Sequence, residues 1–239
     1  MSGITGNRLI TEGLIFYLNS RQPRTYKSGG TAYDLVNDFD GLLNNGTGFD
    51  GKYFTFDGID DYIEVKDIST ITNHTLSVWF YTTSLTNYKN IFDFNTSESG
   101  GNAGIRIEQY TSPGYFHSWG NGTGNARISV TMNPTDNCAI GGDFPGSPQE
   151  NKWSNLVVSY EEISSTGYFT VYFDGTQVTD NQTMSNLFIG HINEFVIGSG
   201  FFNSRFFQGK IASFALWNRK LTNTEILENF AFERKKYSI

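Results

Sequence analysis

Residues 207–226 constrain this chain most, because there a strand pattern runs straight into a helix start. Ile211, Ser213, Ala215 and Trp217 alternate with Ala212, Phe214 and Leu216, the period-two pattern of a half-buried strand. The period then changes. Thr222 and Glu225 have the spacing of a capping box, in which the hydroxyl accepts a free backbone N–H and the carboxylate reaches back. Leu221 and Ile226 occupy the two hydrophobic positions that flank such a cap. No other helix start in the chain is as well specified. A single capped helix closing a long run of β pattern is a signature of fold, and carries no chemistry of its own.

The rest of the chain reads as strands and turns. Strand patterns are expected at 14–18, 53–56, 62–65, 76–81, 90–94, 104–109, 115–119, 126–132, 153–160, 168–173, 176–179, 194–197 and 206–217. Leu76, Val78 and Phe80 oppose Ser77, Trp79 and Tyr81. Asp174-Gly175 marks a hairpin, and Asp57-Gly58 a turn between two short strands. Aromatic residues make up 16% and glycines number 26, which suits strands joined by tight turns. About a dozen short strands over 239 residues point to one sandwich or barrel. The longest irregular stretch, 133–152, reads as an exposed flap. Trp79, Trp153 and Trp217 are assigned to core strands.

Charge and cysteine content exclude several classes. A net charge of −7 argues against a general phosphate-backbone binder, so no nucleic-acid partner is expected. The single Cys138 rules out an intrachain disulfide and a cysteine-based zinc site. No apolar run reaches the roughly 20 residues of a membrane helix, and residues 1–11 show no signal-peptide h-region. Membrane insertion is therefore not expected, and synthesis in a cytoplasm is. The five N-x-S/T sequons, at Asn45, Asn73, Asn95, Asn121 and Asn181, read as turn composition.

Four stretches, in order, carry a resemblance. They are residues 56–63 (FDGIDDYI), 75–80 (TLSVWF), 153–160 with 171–175 (WSNLVVSY and VYFDG), and 207–226. Together they resemble laminin-G-like, concanavalin A-like jelly-roll domains over roughly 13–232. The resemblance implies an all-β, concanavalin A-like jelly-roll sandwich of two antiparallel sheets with one short C-terminal helix. Residues 1–12 then form an N-terminal arm and 233–239 a C-terminal tail, with a basic cluster at Arg234, Lys235 and Lys236. A narrower likeness lies in Gly13-Leu14-Ile15-Phe16-Tyr17-Leu18-Asn19, Pro23, Tyr26 and Asp34-Leu35. It is similar to the start of laminin-G-like virion structural proteins of tailed phages: tail fibres, appendages or capsid decorations. That implies a virion location, other virion proteins as partners, self-association into a homo-oligomer, and contact with host-surface glycans. Asn19 stands where that group carries Asp, which weakens a metal role there.

Catalysis is tested by the carboxylates. Glycosidases of this fold are expected to show E-x-D-x-x-E, which sets two carboxylates on one strand face about 5–5.5 Å apart. The pattern is absent. Glu64, Glu108 and the adjacent Glu161-Glu162 do not supply such a pair. His74, His117 and His191 are isolated, and no G-x-S-x-G occurs. The run Gly120-Asn121-Gly122-Thr123-Gly124 opens no helix and reads as a hairpin loop. No catalytic residues are assigned. A free-standing carbohydrate-binding module and a divergent glycosidase are the alternative readings.

Two binding constellations remain. Asp57, Asp60 and Asp61 place three carboxylates around a glycine turn, hard oxygen donors suited to calcium. Tyr115, Trp119, Phe144, Phe201 and Phe202 are candidate platforms for sugar rings, whose apolar C–H faces stack on aromatic rings.

Overall fold

In the computed structural model the described residues are 8–69, 71–86, 89–94, 103–109, 126–131, 148–164, 166–184, 194–200 and 205–237, of which 103–109, 126–131 and 179–184 are described as backbone. The strands in chain order are β1 (Leu14–Asn19), β2 (Thr31–Ala32), β3 (Gly41–Asn44), β4 (Gly48–Phe49) and β5 (Phe54–Asp57). There follow β6 (Tyr62–Val65), β7 (His74–Thr82), β8 (Lys89–Phe94), β9 (Ala103–Gln109) and β10 (Ala126–Thr131). The last are β11 (Trp153–Ile163), β12 (Thr166–Phe173), β13 (Thr176–Met184), β14 (Phe195–Ile197) and β15 (Gln208–Trp217). Helix α1 (Asn223–Glu233) and a 3-10 turn (Arg234–Lys236) close the chain.

The strands form two antiparallel sheets. One runs β13-β12-β11-β7-β15-β5-β4, with β1 also on β15; the other runs β10-β9-β8-β14-β6-β3-β2. The alternating residues predicted for β7 divide as expected, and those of β11 alternate beside them. Leu76, Val78, Phe80, Leu156 and Val158 enter the core between the sheets, while Trp79 and Val157 face outward into secondary clusters.

The alternation predicted for β15 fails at one place. Ile211 joins Phe214 and Leu216 in the central core, whereas Ala212 packs with Trp79 and Tyr237 on the outer face. The cause is a bulge: Ile211 pairs with Phe80 and Ser213 with Trp79, leaving Ala212 as the extra residue. It lies where β15 changes its second partner. Residues Gln208–Ile211 pair with β5, and the stretch beyond pairs with β1.

The outer face of the β7–β15 sheet is covered by α1. Thr222 caps the helix in a full capping box with Glu225, and Arg219 braces that carboxylate at 2.6 Å. Leu221 and Ile226 are buried with Trp217, Leu14 and Tyr172. Trp79 and Trp217 are fully buried, but beneath this helix and tail, outside the inter-sheet core. The first and last described stretches are both tied into this layer. The Trp217 indole N–H donates to the Ile10 carbonyl at 2.9 Å, and Ile10 N donates to Asn229. Tyr237 is buried on Trp79 at a 4.4 Å ring separation.

Candidate functional site

The turn joining β5 to β6 gathers the three aspartates singled out from sequence. Gly58 turns the chain with φ of 82°. The Asp57 carboxylate accepts from Ile59 N at 2.7 Å, an Asx turn, and more weakly from Asp60 N at 3.4 Å. Asp61 reaches back, its Oδ2 accepting from Asp57 N at 2.8 Å. The turn between β3 and β4 closes over the same place. Asn45 donates its side-chain amide to the Asp60 carbonyl at 2.8 Å, and Thr47 donates to the Tyr62 carbonyl at 3.0 Å.

One oxygen is left over. Asp61 is only 3% exposed, and its Oδ1 is buried with no hydrogen-bond donor. A Cβ at Gly46 would stand 2.9 Å from that oxygen, so glycine is what lets the carboxylate fit. One carboxylate oxygen from each aspartate lies within 4.8 Å of the others, with Asp57 and Asp60 exposed above the buried Asp61. Burial raises the Asp61 pKa, and the charges of Asp57 and Asp60 add to that rise. Lys89 reaches the edge of the turn, donating to the Gly58 carbonyl at 3.2 Å. Burial lowers its pKa, against the pull of the Asp57 charge. A dication among these oxygens would have hard, anionic donors and would satisfy the orphaned Oδ1. Calcium's preference for oxygen ligands at about 2.3–2.6 Å suits the donor set.

Several other carboxylates bond to the strands and the helix. Asp34 accepts from the backbone N–H groups of Tyr17, Val36 and Asn37. Glu233 is buried and accepts from Tyr17 at 2.9 Å and Ser213 at 3.3 Å, with Lys236 at 3.6 Å. Burial still leaves its pKa raised. Asn19 serves the same layer, donating to the Tyr17 hydroxyl at 2.7 Å and accepting from Arg21 N. Glu64 pairs with Lys66, and Glu161 with Lys220.

His74 is wholly buried and packs on Phe94 and Tyr160; burial pushes its pKa down to about 4. The aromatic candidates Tyr115, Trp119, Phe144, Phe201 and Phe202 lie outside the described residues, as do Cys138, His117 and His191. What sequence reasoning missed is a partly exposed aromatic group on the outer sheet face: Tyr81 and Trp153, with Tyr53 beneath. Its signal was in the alternation of β7, which already turned Tyr81 away from Phe80.

Two antiparallel sheets with an apolar core between them and one C-terminal helix define a lectin-like jelly-roll sandwich. The chain belongs to the concanavalin A-like lectin/glucanases superfamily, whose laminin G family model matches residues 57–227. Among solved structures it is similar to a Trypanosoma rangeli sialidase mutant with trans-sialidase activity, at TM-score 0.63 and 16% identity over 95% of this chain and 34% of that one. The chain thus spans about a third of the length of that sialidase. It is also similar to domain 4 of AbnA, an extracellular arabinanase from Geobacillus stearothermophilus, in complex with arabinotriose. There the TM-score is 0.58 and the identity 15%, over 90% of this chain and 97% of that domain. At these identities the likeness is one of fold. No curated protein sequence matches.

Proposed function

We propose that this protein is a non-enzymatic structural and adhesion module of a tailed-phage particle, a rigid knob that contacts host-surface glycans. The observation that carries the non-enzymatic part is the use made of its carboxylates. Among the described residues, Asp34, Glu225 and Glu233 are engaged in holding strands and helix together. The closely spaced trio of Asp57, Asp60 and Asp61 lies at the turn that follows β5, where Asp57 and Asp61 accept from the turn's own backbone. Sugar contact is supported by the superfamily and by the AbnA domain, which holds arabinotriose on a similar fold. The phage setting rests on the 13–35 stretch and its likeness to virion proteins. A virion location, virion partners and self-association in a symmetric particle follow from that reading.

Calcium belongs to the same proposal. Asp57, Asp60 and Asp61 would hold it, and its role would be to neutralise the trio and pin the β3–β4 turn to the β5–β6 turn. Mass spectrometry and electron microscopy of purified particles test the setting; absence of the protein from any particle defeats it. A glycan array on the isolated protein tests the free-standing carbohydrate-binding reading. Turnover of β-glucans would restore the glycosidase reading.

A further inference from the structure

A continuous row of rings crosses the outer face of the β7–β15 sheet. Phe230 stacks on Trp79 at 5.7 Å, and Trp79 on Tyr237 at 4.4 Å. Tyr237 meets Trp153 at 5.1 Å, and Trp153 meets Tyr53 at 4.6 Å and Tyr81 at 5.5 Å. Helix α1 and the 3-10 turn cover one end. At the other end Trp153 and Tyr81 stay partly exposed.

Cations collect at that open end. Lys52 and Lys210 stand 5.1 Å and 5.8 Å from the Tyr53 ring centre. Arg21 lies 5.5 Å over Tyr237 and bonds the Tyr53 hydroxyl at 3.4 Å. Burial pushes that hydroxyl's pKa up, yet Arg21 and Lys52 outweigh it and leave it lowered. The basic tail joins the same row, with Arg234 5.8 Å from the Phe230 ring centre. Lys210 is paired with Asp50 and Lys236 with Glu233. Among the described residues no carboxylate lies in ion-pair range of Arg21, Lys52, Arg234 or Lys235. Among the described residues this face therefore sets cations without a carboxylate partner beside aromatic rings, on a chain of net charge −7.

That combination selects its ligand. A neutral glycan would leave the cations unused, and a polyphosphate would leave the rings unused. A sugar acid uses both: its C–H face stacks on an aromatic ring and its carboxylate takes charge-assisted hydrogen bonds. We propose that this face binds an anionic polysaccharide built of hexuronate residues. Trp153 and Tyr81 carry the sugar rings, and Arg21 and Lys52 hold the carboxylates. The planar fork of Arg21 matches a carboxylate two-pronged. The site shares no residue with the aspartate turn, so it stands whether or not that turn binds a metal.

The test is calorimetry of the full chain with a hexuronate oligomer, in EDTA to silence any calcium site. Binding is expected, and it should weaken severalfold as salt rises from about 50 mM to about 300 mM, where screening shortens to a few ångströms. The double substitution Arg21→Gln with Lys52→Gln, both exposed, should weaken binding about tenfold, the scale of one charge-assisted hydrogen bond. Its melting temperature should fall by at most a few degrees, the cost of Arg21's contacts with Tyr53 and Tyr237, so the variant remains folded at the temperature of the measurement. Trp153→Ala should abolish binding, but this ring also packs, so the charge variant is the decisive one. Three outcomes overturn the proposal: no binding, equal binding of the carboxyl-reduced oligomer, or unchanged affinity of the double variant. Binding of a sulfated oligomer with none of the uronate overturns the carboxylate assignment. A glycan-array hit on neutral sugars with no uronate binding would leave the adhesion reading standing while this one fails.

Discussion

Among the Asp-Gly turns of this molecule, those at 57–58 and 174–175 do different things. At Asp174-Gly175 the glycine has φ of 75° and Asp174 itself 46°. The Asp174 carboxylate accepts from Asn155 N at 2.6 Å, and its own N–H donates to the Asn155 carbonyl. Helix α1 then seals the turn, with Phe230 lying where a Cβ on Gly175 would fall. At Asp57-Gly58 only the glycine has a positive φ, of 82°, and among the described residues no helix covers the turn. Its carboxylates bind their own backbone, two are exposed, and one Asp61 oxygen has no donor. The dipeptide sets only the chain reversal. What packs beside it decides whether its carboxylates are finished structure or available donors.

The largest expected effect breaks the sealed turn. Gly175→Val places atoms within 2.5 Å of the Phe230 ring at a backbone angle that valine resists. A loss of about 3 kcal/mol is expected by urea unfolding. A loss below about 1 kcal/mol would mean that the helix does not clamp this turn.

Next comes the open turn. Calcium at about a hundred times its dissociation constant should stabilise by about 2.7 kcal/mol and raise the melting temperature by about 5–10 °C. Asp61→Asn should erase the shift, and Asp174→Asn should keep it. An unchanged melting temperature at millimolar calcium would remove the metal from the proposal.

The pH dependence of the two turns gives a smaller effect. Burial raises the Asp174 pKa to about 6. A carboxyl whose pKa is higher folded than unfolded favours folding while protonated, and that advantage is lost as pH rises through the folded value. The loss falls between about pH 4 and 6. Asp174→Asn keeps the acceptor for Asn155 N and should be more stable at pH 7 by about 1 kcal/mol. Its stability should also vary less across that window, read by unfolding at several pH values.

The smallest effect has the opposite sign in pH. Arg219 beside Glu225 outweighs burial and holds its pKa at about 2. Stability from the cap is therefore present above the ordinary carboxylate range and lost as pH falls through that value. Thr222→Ala should cost about 1 kcal/mol at neutral pH. If melting is unchanged, the cap is not holding the helix.

Much of the fold was legible in local pattern. The capping box, the flanking Leu221 and Ile226, the alternation of β7 and the Asp-Gly turns all depend on residues a few positions apart. The bulge at Ala212 was not legible, because it arises from a change of partner strand that no local spacing reports. Trp153, assigned to a core strand, stays partly exposed, and which outer cluster Trp79 and Trp217 would enter was not legible either. Both are wholly buried, but a period-two pattern says only that a residue has a face. It does not say which side of the sheet a later helix will cover. Of the proposed sites, the aspartate trio was visible in sequence and the basic aromatic face was not. Arg21, Lys52, Trp153 and Lys210 are scattered along the chain, and only sheet order sets them side by side.

By itself, then, the sequence determined an all-β chain with one capped helix, one aspartate-rich turn and no E-x-D-x-x-E spacing. These follow from backbone geometry and side-chain spacing, which are local. Only the tertiary structure decided which carboxylate oxygen is stranded at Asp61 and which aromatic rings are sealed by Tyr237. It also decided where positive charge accumulates on an acidic protein. Those outcomes depend on desolvation and on neighbours brought from far along the chain, and both exist only once the sheets have paired and the helix has closed over them.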